Sequence, residues 1–197
     1  MWSLGVEEQF YIFWPCLVSI ALNVLKKSSF SVLALYTVFS FIFSIVSVFI
    51  NPKFAFYFPV CRFWQMAVGG LIAYFNLTIQ NTKITNSLSI IGTFAILTTV
   101  WIIGEGSLFP GFWALVPTLA SACIIQAGQS SFINKYVLSS KPFVFIGKIS
   151  YPVYLWHWPL LVFSRYLYPQ GSKSILGNIP FIILLTVGVS IATYFLI

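Results

Sequence analysis

Stretches of roughly 20 apolar residues recur along the chain, near 6–25, 30–50, 57–77, 84–103, 109–127, 143–163 and 175–197, separated by short polar breaks. A run of that length covers about 30 Å of hydrocarbon as a helix. Backbone polar groups at membrane depth must find partners inside the protein, so a spanning chain is either helical or a closed barrel. The period-2 alternation of a barrel strand is missing from every run, which leaves an all-α architecture. The expected fold is therefore a polytopic bundle of about seven membrane helices, forming one transmembrane domain over residues 1–197. The fifth run is interrupted by Pro110 and Pro117.

Composition closes off the other classes. Charged residues make up 7% of the chain and hydrophobic ones 59%, with mean hydropathy +0.96. A soluble domain carries about 25% charged residues, so a water-covered enzyme, a disordered chain and a nucleic-acid binder are all excluded. The net charge of +7 then reads as loop retention on the cytoplasmic side. Lys26, Lys27, Lys83, Lys135 and Lys141 fall in the odd-numbered loops, against Lys53, Arg165 and Lys173 in the even ones. That asymmetry predicts an outside N-terminus and an inside C-terminus. Cys16, Cys61 and Cys123 lie far apart in apolar runs. They predict neither disulfide nor metal site and act as small hydrophobes.

Ionisable groups inside membrane segments are costly and mark functional candidates. They occur in three places. Trp2-Ser3-Leu4-Gly5-Val6-Glu7-Glu8-Gln9-Phe10-Tyr11 opens the first run, with Glu7, Tyr11 and Trp14 at i, i+4 and i+7. A carboxylate one turn from a phenol can orient an alcohol; equally, acids suit a first helical turn by dipole alone. Arg62 starts a second group, followed at helical spacing by Gln65, Met66, Gly69, Gly70 and Ala73. Small residues there permit close helix approach. Arg62 can hold an anion, pair with Glu7 or Glu8, or simply snorkel to the interface. In the third group Ser150, Tyr154 and His157 fall at i, i+4 and i+7, in a stretch that also holds Pro152, suited to a first helical position, and Pro159. The imidazole can serve as base, acid or structural hydrogen bonder.

Taken in order, these stretches resemble the acyltransferase-3 family of multi-pass bacterial membrane O-acyltransferases. Its pattern runs approximately WSL-x-x-E-x-QFY, an arginine ahead of a small-residue helix, then SY-x-x-YLWH-x-P. Here those are Trp2 to Tyr11, Arg62 with Gly69, and Ser150 to Pro159. The Leu155-Trp156-His157-Trp158-Pro159 form is most similar to members that modify lipopolysaccharide O-antigen or other surface glycans. Some members carry an appended extracytoplasmic SGNH-type domain.

The resemblance implies transfer of an acyl group, commonly acetyl, from cytoplasmic acyl-CoA to a sugar hydroxyl, with no bound cofactor. It implies the lipid bilayer, acyl-CoA and a surface glycan as partners, and the bacterial inner membrane as location. Glu7, Arg62, Tyr154 and His157 become the catalytic candidates. Trp2, Ser3, Glu8, Gln9, Tyr11, Gln65, Ser150 and Tyr151 become candidates for substrate binding. Gln65 stands where many relatives have glutamate. About three further helices are expected ahead of Trp2, one bearing the arginine and histidine usually assigned to catalysis, so residues 1–197 alone are expected not to complete acyl transfer. A transporter or channel module and an inactive membrane scaffold are the alternatives. The former calls for inverted repeats and paired broken helices, which the sequence does not display.

Overall fold

The computed structural model describes residues 2–23, 29–75, 79–102, 104, 109–167 and 179–196. Lys26, Lys27, Glu105 and Lys173 lie outside these residues, as do the side chains of Trp2 and Ser3. The described chain is helical and contains no strand. Its helices are α1 (Trp2–Asn23), α2 (Ser29–Ile50), α3 (Pro52–Tyr57), α4 (Val60–Phe75), α5 (Thr82–Ile102), α6 (Leu115–Ala127), α7 (Lys141–Leu167) and α8 (Ile179–Leu196). A 3-10 turn, Phe112–Ala114, leads into α6, and a π turn, Asn134–Leu138, follows it.

Seven of these helices sit at the positions of the seven apolar runs. Three described segments, Phe30–Ile50, Thr82–Ile102 and Ile179–Leu196, are long and apolar enough to cross a membrane, and the count of seven spans goes beyond them. The shortfall is physical. At 1.5 Å per residue the 16 residues of α4 reach only about 24 Å, and α6 is shorter still. Polar and ionisable side chains dilute α1 and α7, with Glu7 and Glu8 in the one and Lys141, Lys148, His157 and Arg165 in the other.

Two compact units emerge, Trp2–Tyr136 and Val137–Ile197. In both, burial is inverted relative to a water-soluble protein. Ser40, Ser44, Ser47, Thr85, Ser89, Thr186 and Ser190 are buried, while Phe39, Phe49, Phe94 and Leu184 are exposed and Trp101 is 89% exposed. In lipid, apolar side chains gain nothing by hiding, and close packing of small and hydroxyl residues joins helices instead.

In the first unit α2 packs along α4, and α5 along α6. Ser40, Ser44 and Ser47 recur at helical spacing on the buried side of α2, and Cys61, Phe63, Trp64 and Ala67 are buried on α4. Between the second and third apolar runs, Asn51-Pro52 opens a capped short helix, α3. The Asn51 side chain accepts from the Phe54 N–H at 3.1 Å, with proline just inside the helix, as capping chemistry favours. Gly92 sets the α5–α6 approach, since a Cβ there would lie 2.6 Å from the Ala120 carbonyl oxygen. Asn134 fastens the far end, donating to the Ile124 and Gly128 carbonyls and accepting from Ser89.

In the second unit α7 and α8 pack through Ile149 and Pro152 on one side and Ile182, Thr186 and Ser190 on the other. The Trp156 indole donates to Thr193 at 3.0 Å. Proline suits a first helical position, yet α7 starts at Lys141 and runs through both Pro152 and Pro159. Pro152 is buried within this helix pair, so tertiary packing overrides the local helix-starting preference.

Candidate functional site

Arg62 occupies the first turn of α4, where the Pro59 carbonyl accepts from the Arg62 and Phe63 N–H groups. Its guanidinium lies 4.8 Å from the ring centre of Phe56 and 5.6 Å from that of Phe109. Aromatic faces attract a cation by their quadrupole, worth about 0.5–2 kcal/mol as water is excluded. The half-buried arginine is thus seated between rings from two other segments.

Gln65, one turn further along α4, lines a cleft of about 320 Å³ between α4 and α6. Met66, Gly69 and Ile72 continue the α4 wall, and Pro117, Thr118, Ser121 and Ile125 form the α6 wall. Phe109, the same ring that meets Arg62, lines it as well. The Thr118 and Ser121 hydroxyls donate to the Ala114 and Pro117 carbonyls of their own helix, so each offers its remaining lone pairs as acceptors. The cleft therefore combines an amide, two hydroxyl acceptors and apolar walls, with a guanidinium beside it.

The first motif meets the second through apolar side chains. Val6 and Phe10 of α1 pack on Phe63, the residue after Arg62, and Trp14 and Tyr36 extend the cluster. Phe10 stacks on Trp14 at 5.8 Å. Glu7, Glu8 and Gln9 are exposed, and Tyr11 is 66% exposed. The single face expected for Glu7, Tyr11 and Trp14 is therefore divided. Trp14 turns inward with Phe10, because the apolar Val6–Phe10 pair, not the carboxylate, is what α4 receives.

The third motif belongs to the second unit. Tyr154 and His157 have ring centres 5.4 Å apart. His157 Nδ1 lies 3.2 Å from the Val153 carbonyl oxygen. A carbonyl only accepts, so Nδ1 donates in this contact, and Nε2 is the ring nitrogen turned to other partners. Ser150 is exposed and donates to the Gly147 carbonyl at 2.7 Å, and Tyr151 is exposed. Two of the three side chains expected to align, Tyr154 and His157, come together as rings.

Sequence reasoning missed Phe56 and Phe109, the ring neighbours of Arg62, and Thr118 and Ser121 in the cleft. It also missed Ser40, whose only signal is the spacing of Ser40, Ser44 and Ser47 in an otherwise apolar run.

A helical chain with exposed apolar surfaces, and an arginine one turn from a cleft between two helices, fits the class of membrane-embedded enzymes. The acyltransferase-3 family, described as an acyltransferase domain, matches residues 1–197, and the chain belongs to that family. It is 33% identical over 186 residues to the O-acetyltransferase OatA of Staphylococcus aureus strain NCTC 8325 / PS 47, covering 87% of this chain and 31% of that relative. OatA of Staphylococcus aureus strain MRSA252 matches with the same identity and coverage. The chain thus spans about a third of the length of these relatives. No solved structure matches it.

Proposed function

We propose that this chain contributes the membrane-embedded part of an O-acyltransferase that moves an acyl group, acetyl in the simplest case, from acyl-CoA to a hydroxyl of a cell-surface carbohydrate such as O-antigen. The observation that carries this reading is the α4–α6 cleft, with Gln65 in its wall and Arg62 one turn away, in a chain of the acyltransferase-3 family. The sugar oxygen attacks the thioester carbonyl carbon while its proton passes to a base. The C–S bond then breaks, and the thiolate leaves and takes up a proton. Such a reaction needs a positioned base and stabilisation of the developing oxyanion.

Nε2 of His157 is the lone pair this chain offers to the hydroxyl proton, with Tyr154 orienting the alcohol. Arg62 supplies positive charge to the oxyanion or to a donor phosphate, and Gln65 hydrogen-bonds the acyl carbonyl in the cleft. Glu7 presents a carboxylate on the exposed face of α1 for a sugar hydroxyl; Trp2, Ser3, Glu8, Gln9 and Tyr11 of the same motif, and Ser150 and Tyr151 of the third motif, are the further candidates for substrate binding. The enzyme sits in the bacterial cytoplasmic membrane as a multi-pass protein, with the loop at Lys83 inside and that at Gly104 outside.

Transfer of label from acetyl-CoA to surface glycan, in membranes from cells expressing the gene in its native context, tests the activity. Loss of transfer with Arg62→Ala and with His157→Ala is expected. Unchanged transfer in both variants, or no transfer with the unaltered gene, overturns the reading.

A further inference from the structure

We propose that Ser40 of α2 is a positioning residue for Arg62, holding the first turn of α4 in the register that aims the guanidinium at Phe56 and Phe109. Ser40 is fully buried. Its hydroxyl donates to the Val60 carbonyl and accepts from the Trp64 N–H at 2.9 Å. Residues 60 and 64 are the pair that an α-helix joins by its own i to i+4 bond, and Arg62 lies midway between them. A side chain from another helix is thus placed at the ladder of the turn that carries the arginine. Insertions of this kind bend helices and re-aim side chains. Trp64, 1% exposed and edge-on to Phe41 at 4.9 Å, fixes the same turn from its apolar side.

Ser44 supplies the matched contrast. It is equally buried one turn further along α2, yet its hydroxyl has no hydrogen-bond partner among the described residues. Small size at the α2–α4 contact is common to both serines, whereas the backbone bridge belongs to Ser40. Replacing Ser40 with alanine leaves Val60 and Trp64 free to bond each other, so the variant retains a satisfied helix and folds. What changes is the aim of Arg62.

The proposal rests on the reading of Arg62 given above, and the test separates the two. The first measurement is the rate at which phenylglyoxal modifies Arg62, with Arg165 as reference within the same molecule. Ser40→Ala should raise the ratio by about fivefold, the shift that losing one net hydrogen bond permits; Ser44→Ala should leave it unchanged, and Ser40→Thr should restore it. An unchanged ratio in Ser40→Ala, or an equal rise in Ser44→Ala, overturns the positioning role whether or not Arg62 is catalytic.

The second measurement is acetyl transfer. Ser40→Ala should lower kcat by up to about 10²-fold, as misplacement of a catalytic group does, and should have no further effect in an Arg62→Ala background. Additive losses in the double variant would make Ser40 merely structural. A shifted labelling ratio with full activity in Arg62→Ala would support Ser40 as the positioner of Arg62 and overturn the catalytic reading of Arg62 alone.

Discussion

Arg62 and His157 are both nitrogen-bearing side chains set into apolar helices, and they are held in opposite ways. The surroundings of Arg62 come from other segments: Phe56 in α3, Phe109 ahead of α6, and Ser40 of α2 at the backbone of its turn. The resolved surroundings of His157 come from its own helix, with Val153 one turn back and Tyr154 beside it. A locally built site keeps its geometry wherever its helix forms. A site built from distant segments depends on how helices meet, and is correspondingly open to adjustment from afar.

The sharpest way to break this contrast is at the two side chains themselves. His157→Ala should reduce acetyl transfer by about 10²- to 10⁴-fold, the usual cost of losing a positioned base. Arg62→Ala should cost about 10²- to 10³-fold, as for a lost oxyanion donor. Single-turnover transfer from labelled acetyl-CoA measures both, and near-normal rates would remove the variant residue from the chemistry.

Glycine substitutions contrast tight and open packing. Gly92→Val places a Cβ 2.6 Å from the Ala120 carbonyl oxygen and 2.8 Å from Ile124, so α5 and α6 must separate. A loss of at least about 1–3 kcal/mol is expected, visible as a lower unfolding temperature in detergent. Gly147→Ala in α7 meets nothing within 4 Å. It should be neutral or stabilising by up to about 1 kcal/mol through helix propensity. Equal destabilisation by the two changes would contradict the packing described here.

Phe109→Ala removes one ring beside Arg62 and part of the cleft wall. The lost cation–π contact is worth about 0.5–2 kcal/mol, so transfer should fall several-fold to about 30-fold while the protein still accumulates in membranes. In an Arg62→Ala background the same change should do much less. Undiminished loss there would mean that Phe109 acts through the cleft and not through the arginine.

The smallest effect belongs to the second unit. Trp156→Phe keeps an aromatic ring, though a smaller one, and deletes the bond to Thr193. A destabilisation of about 0.5–1.5 kcal/mol is expected, read as a modest drop in Tm. A larger fall would show that α7 and α8 depend on this bond more than on the packing of Ile149 against α8.

Features with a short reach were legible in advance. The helical runs and the nearness of Tyr154 to His157 follow from spacings of three to twenty residues. The same reading grouped Glu7, Tyr11 and Trp14 on one face, because periodicity identifies a face without saying what will pack on it. The structure gives that role to Val6 and Phe10 against Phe63.

The sequence by itself determined that the chain is a helical membrane protein, and it exposed the motifs shared with the acyltransferase-3 family. Apolar run length and helical period are properties of contiguous residues, fixed before any tertiary contact forms. Only the tertiary structure decided that Arg62 lies near Phe56 and Phe109, that Gln65 lines a cleft with Thr118 and Ser121, and that Ser40 bridges Val60 and Trp64 across the turn that carries Arg62. In a chain where most positions are apolar, many helix pairings satisfy the same pattern. Close fits such as Gly92 against Ala120 and directional bonds such as Ser40 to Val60 and Trp64 select one of them, because short-range repulsion and hydrogen-bond geometry act only once the surfaces touch.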